Sequence, residues 1–167
     1  MLDACLVITF GGAGRLDLIA GGERRVVIAA RAGEEVVRPP ARPRLEEALD
    51  AGAIEVESID LDVADEQDAL ARYDADPAFR DRGDAEVLAL AATRGYTVGS
   101  DDRAIGRRVR TDLGPDRIAG TLDVIVWAVR DERISLSDAH AFLENCDVGP
   151  ALLRRLTVAG VDLEDLI

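Results

Sequence analysis

Aspartates stand at junctions between short apolar runs and helix-like stretches. Asp3 interrupts the apolar opening Met1 to Leu6, where a carboxylate is costly without a partner. Asp101 and Asp102 follow the short apolar run Tyr96 to Ser100, and Asp84 opens the stretch that leads into that run. Capping accounts for some of these acids. Ser100-Asp101-Asp102 makes a good helix N-cap with acids facing the dipole, and Asp84 with Glu86 does the same for the preceding helix. Glu34 and Glu35 alone read as a solvated helix face. Capping explains Asp3 least well. In open parallel sheets, sites form beyond the carboxyl ends of strands, near a switch in strand order. Carboxylates gathered there repel unless a cation neutralises them. Oxygen-only donor sets suit Mg²⁺ or Mn²⁺, ions that activate water and stabilise charge on a phosphate.

The elements that must position these acids alternate strand and helix, which predicts α/β architecture with a parallel sheet. Met1 to Ala4 is a very short opening strand. Cys5 to Phe10 either extends it or begins a helix, because a continuous apolar run has no diagnostic period. Val26 to Ala29 reads as a buried strand and Ala30 to Val37 as a short helix stopped by Pro39 and Pro40. A helix over Leu45–Ala51 ends at Gly52, and Ile54 to Ile59 alternates like a half-buried strand. A further helix is expected around Glu66 to Tyr73. Asp84 to Arg94 has the clearest helical face, closed by Gly95. Tyr96 to Gly99 and Arg117 to Ala119 are short strands. Ser100 opens a helix through Arg110, with Asp101 and Asp102 in its first turn. Thr121 to Arg130 is a strongly apolar helix, assigned to the core in preference to a dimer interface. The chain reads as one domain over residues 1–167, with a short helical C-terminal extension from about 135 to 167.

Composition limits the function classes. The 167 residues are 48% hydrophobic, enough for a globular core. No apolar run is long enough for a membrane span and no secretory leader is recognisable, so a cytoplasmic protein is expected. Cys5 and Cys146 read as reduced, packed thiols. With His140 as the only histidine and no CxxC, a zinc site is not expected. His140 itself reads as a surface or core-edge imidazole. The net charge of −13 argues against a broad basic surface for nucleic acid. Every basic residue is an arginine, however, and arginine's fork grips phosphate in a bidentate manner even in small numbers. Arg82 and Arg103 flank the acids and are candidates for holding a nucleic-acid backbone, with an ordinary exposed role at least as good an account of them. The chain lacks a GxxxxGK[ST] loop, and Gly11 to Gly14 form no convincing GxGxxG, which counts against a nucleotide-binding domain.

Residues 82–91, RGDAEVLALA, then Gly95 and Ser100-Asp101-Asp102-Arg103, resemble the second half of PIN domains. They are most similar to the PIN-like subgroup related to VapC toxins, with its GEAEAIALA…G…DDR pattern. Leu2-Asp3-Ala4 through Gly14-Arg15-Leu16-Asp17-Leu18-Ile19 resembles that subgroup's opening, and Gly120-Thr121-Leu122 a further motif. The resemblance implies a three-layer α/β/α sandwich around a central, mainly parallel sheet. It implies metal-dependent cleavage of single-stranded RNA, with Mg²⁺ or Mn²⁺ as cofactor, and a toxin that dimerises and is held by an antitoxin protein. Carried onto this chain, Asp3 matches the first acid, Glu35 the second with Glu34 as its rival, Asp84 the third and Asp102 the fourth. Asp101 would be a supporting metal ligand, and Ser100 a hydroxyl that orients a carboxylate. Asp84 stands where the subgroup has glutamate, Asp123 where glycine is common and Ala29 where proline is common. The rival expectation is a catalytically weak PIN scaffold that binds a protein.

Overall fold

The computed structural model describes residues 1–167 except Glu23, Ala78, Arg80, Asp81 and Gly160. Among the described residues, four short strands, β1 (Val27–Ala29), β2 (Glu55–Glu57), β3 (Val98–Gly99) and β4 (Ile118–Ala119), form two parallel pairs, β1 with β2 and β3 with β4. Leu2 joins the pairs. It bridges Ile28 on one side and Gly99 on the other, both parallel. The bonds are Leu2 N–H to the Val27 carbonyl at 2.7 Å and Asp3 N–H to the Gly99 carbonyl at 3.0 Å. Across the sheet the order is therefore β2, β1, Leu2, β3, β4. The chain starts in the middle and builds outward in both directions, so strand order reverses at Leu2 and all carboxyl ends share one edge.

Val27, Ile28 and Ala29 are all fully buried, as expected of a parallel strand covered on both faces. β2 is an edge strand. Its Val56 is exposed, which departs from the alternation read in the sequence, and Glu55 and Glu57 on either side pair with Arg25. Charges on an edge discourage pairing with another chain.

The helices are α1 (Ala4–Gly12), α2 (Asp17–Ala20), α3 (Ala30–Glu35), α4 (Ala41–Asp50), α5 (Ala64–Asp74), α6 (Arg82–Arg94), α7 (Arg103–Asp112), α8 (Thr121–Arg130), α9 (Leu136–Asn145) and α10 (Gly149–Ala159). Parallel crossovers are right-handed, so building outward both ways covers both faces. α1 packs on α4, while α6 packs on α5 and α7. The result is an α/β fold with helical layers about a parallel sheet.

Cys5 to Phe10 is helical. α1 is apolar all round: Leu6, Val7 and Phe10 are at zero exposure, while Ile8 is 45% exposed. Phe10 stacks on Phe142 of α9, ring centroids 4.8 Å apart. In α8, Val124, Ile125 and Ala128 are buried in the core. Ser135 and Asp138 form a reciprocal capping box that starts α9. His140 is partly exposed, with Nε2 3.6 Å from Glu164. Both cysteines are free thiols. Among the described residues, no helix is long and apolar enough to cross a membrane.

Candidate active site

Asp3 lies at the carboxyl end of the central strand position, where strand order reverses. It is only 4% exposed, so its carboxylate needs donors. Two side chains supply them to the same oxygen. Ser100 Oγ donates to Asp3 Oδ2 at 2.7 Å, and Cys5 Sγ donates to it at 2.9 Å. Oδ1 takes no hydrogen bond among the described residues. Ser100 comes from the loop after β3, the neighbouring strand, so the sheet itself delivers it. Burial pushes the Cys5 thiol up to about 12, and the adjacent Asp3 charge adds to the effect. Cys5 is therefore a proton donor here, not a thiolate.

Asp101 and Asp102 diverge. The sequence placed both in the first turn of a helix opened by Ser100. In the structure α7 begins at Arg103 and Asp102 is its N-cap, Oδ1 accepting from the Ala104 and Ile105 N–H groups at 2.6 and 3.0 Å. Its own N–H donates to Ser100 Oγ at 3.0 Å, which ties it to Asp3 through one hydroxyl. Asp101 turns the other way, to the start of α8. It accepts from the Thr121 N–H at 2.9 Å and from Thr121 Oγ1 at 2.6 Å. A fully buried hydroxyl and a helix N-terminus are thereby satisfied by one acid from another element.

At the junction of α3 and α6, Glu35 meets Gly83, the residue before Asp84. Glu35 closes α3, and its carboxyl lies against Gly83 in the first turn of α6. A Cβ at Gly83 would stand 2.9 Å from Glu35 Cδ and nearer still to Oε1. Asp84 is the next residue, half-buried, and both acids are engaged with neighbouring groups. Glu34, the alternative second acid, is exposed, as Glu35 is.

Glu86 carries a role that the sequence reading assigned to simple capping of its own helix. It is 4% exposed on the buried face of α6. Its carboxylate accepts from the Arg31 N–H at 2.8 Å and from the Ile59 N–H at 3.5 Å. α3 has no side-chain N-cap of its own, so Glu86 caps it from outside. Glu86 therefore holds the beginning of the short helix whose end carries Glu35. The signal was present: Glu86 lies four residues before Leu90, among residues that are otherwise apolar.

The donor set suits a hard divalent cation, since Asp3, Glu35, Asp84 and Asp102 offer oxygen alone. Convergence is partial. Asp3, Ser100 and Asp102 are linked by hydrogen bonds, and Glu35 lies against Gly83, which precedes Asp84. Among the described residues, no three carboxylate, thiol or imidazole groups come together as a metal cluster.

The family model DUF3368, described as a PIN domain, matches residues 1–147. Neither a curated protein nor a solved structure matches the chain.

Proposed function

Because this chain belongs to the PIN-domain family, whose members are generally nucleases that use divalent metal ions, we propose that it is a metal-dependent endoribonuclease acting on single-stranded RNA. The observation that carries this reading is Asp3. It is a buried carboxylate at the switch point of a parallel sheet, with one oxygen held by two donors and the other without a bond among the described residues. Glu35, Asp84 and Asp102 are the further acids that would hold Mg²⁺ or Mn²⁺ with it. When bound, such an ion supplies positive charge for the scissile phosphate and acidifies water for in-line attack. The chain's own residues set the stage. Ser100 and Cys5 orient Asp3, Asp102 fixes the start of α7, and Glu86 anchors the helix that presents Glu35.

The test is cleavage of a mixed single-stranded RNA pool with Mn²⁺ or with EDTA, comparing wild type with Asp3→Asn and Asp102→Asn. Asparagine is also a good N-cap, so Asp102→Asn keeps α7 in place. Cleavage that requires the metal and both acids supports the reading. Equal behaviour of wild type and variants in every condition refutes it.

The VapC-type assignment extends the same proposal to a cytoplasmic toxin that is held by an antitoxin protein and acts as a homodimer. Growth arrest on expression, relieved by Asp3→Asn, tests the toxin role, and light scattering tests the dimer. The second reading, a PIN scaffold that binds a protein, is favoured by one observation: the described acids form no three-membered metal cluster. Metal-dependent cleavage separates the two.

A further inference from the structure

The arginines differ in how they are engaged. Arg25 pairs with Glu55 and Glu57 of β2, and Arg94 with Glu57 and Glu66. Arg117, ahead of β4, donates to the Tyr96 and Ala91 carbonyls. At the carboxyl edge, Arg103 begins α7 directly after Asp102. It is exposed, and its guanidinium makes no hydrogen bond or ion pair among the described residues. Arg107 and Arg110 are also exposed and also without such partners. At about 100° per residue, the three fall within about 60° of one another on a single face of the helix. The rest of α7 is otherwise employed. Ile105 and Val109 enter the core, and Arg108 pairs with Asp112 and Asp76.

This arrangement works against local preferences. Like charges four residues apart repel, and a cation in the first turn opposes the helix dipole. A chain of net charge −13 has carboxylates to spare, yet among the described residues none pairs with these three. Helical Cα–Cβ bonds tilt towards the helix N-terminus, so the side chains lean towards the edge that carries Asp3 and Ser100. Gly106 lies under the stripe. A Cβ there would stand 3.2 Å from Arg110 Nη1, so the glycine lets Arg110 lie back along the helix in that direction.

We propose that the exposed face of α7 is the track for the phosphodiester backbone of single-stranded RNA leading to the acids, with Arg103, Arg107 and Arg110 each taking a phosphate. The inference rests on the nuclease reading and deepens it. Guanidinium forks match phosphate oxygens in pairs, and the residues are spaced about 6 and 4.5 Å along the axis.

The experiment measures binding of a labelled mixed-sequence single-stranded RNA in EDTA across a salt series, and cleavage kinetics with Mn²⁺. It compares wild type with the triple variant Arg103→Gln/Arg107→Gln/Arg110→Gln, the triple Lys variant, and a control, Arg154→Gln/Arg155→Gln on α10. Each lost phosphate contact lowers the slope of log affinity against log salt by about 0.7, so the Gln triple loses about 2. Its KM rises at least tenfold while kcat and thermal stability stay near wild type. The Lys triple keeps the slope, and the control changes nothing. An unchanged slope in the Gln triple, or a loss no larger than the control's, overturns the track and leaves the nuclease standing. A fall in kcat accompanied by lower thermal stability identifies a structural role and also overturns it. Wild type that neither binds nor cleaves RNA overturns both readings together.

Discussion

Gly83→Ala separates a catalytic role for Glu35 from a structural one. The new methyl would stand 2.9 Å from Glu35 Cδ and closer to Oε1, where ordinary contact begins at 3.4 Å. The obstacle is the end of a flexible side chain and not backbone, so the carboxylate swings away by roughly 1 Å and the helix stays put. Alanine is also the better helix former, by up to about 1 kcal/mol, which offsets the cost of moving Glu35. The expected thermal midpoint is within about 4 °C of wild type. Activity behaves differently. A misplacement of about 1 Å costs on the order of 100-fold when the displaced group belongs to the reacting centre. Differential scanning calorimetry and Mn²⁺-dependent cleavage of a single-stranded RNA read the two quantities on one preparation. Full activity in a stable variant would remove Glu35 from the site. A large drop in the midpoint would show that Glu35 cannot move, and the reasoning about a flexible obstacle would be wrong.

Four further outcomes follow from the geometry. Thr121→Val removes a buried hydroxyl bonded to a carboxylate, at a cost of about 1.5–3 kcal/mol; urea denaturation should show that loss while the Mn²⁺ requirement for cleavage stays the same, and a changed requirement would make Asp101 a ligand instead. Glu86→Ala leaves the Arg31 N–H without its acceptor and should lower the thermal midpoint by roughly 3–10 °C, whereas Glu86→Gln keeps an acceptor and should recover most of it; equal midpoints for all three proteins contradict the external cap. Ser100→Ala takes a donor from Asp3 and an acceptor from the Asp102 N–H, and should reduce cleavage at least tenfold, with Ser100→Thr restoring it; an unchanged rate dismisses the orienting role. Hydrogen bonds from Arg94 hold the Glu66 carboxyl below its ordinary value of 4.5, against the opposite push of burial. That stabilisation is complete above the unfolded value and is lost as pH falls through the lower folded one, so the urea midpoint should drop below pH 4.5, and drop less steeply in Arg94→Gln.

What could be read in the sequence depended on whether a residue acts through its neighbours in the chain or across the fold. The helix over Asp84 to Arg94 has a periodic apolar face and caps within a few residues, and it stands almost where expected. Cys5 to Phe10 could not be assigned because a helix that is apolar on every side, at its exposed Ile8 as well, carries no polar face to reveal its period. The start of α7 was misplaced by two residues because three candidate caps stand in succession. Only tertiary contacts choose among them: Ser100 turns to Asp3, Asp101 to Thr121, and Asp102 is left to cap. Glu86 was visible as an acid on an apolar face, but the N–H groups that donate to it, of Arg31 and Ile59, lie far away in sequence. The family resemblance named the acids. It could not say that Asp3 is held through a single oxygen, or that Gly83 makes room for Glu35.

The single-residue middle of the sheet sets an order in time. Leu2 is secured only when Ile28 and Gly99 are both present, and closing so distant a parallel contact is slow. During synthesis, α1 leaves the ribosome long before residue 99 exists. Until then Leu6, Val7 and Phe10, all wholly covered at the end, have only the β1–β2 half of the sheet to lie on. That stretch is where a chaperone would take hold of the nascent chain. Asp3 adjoins it and acquires Ser100 only at the same late closure. A ribosome making this protein therefore releases most of the chain before the aspartate at its beginning is in place.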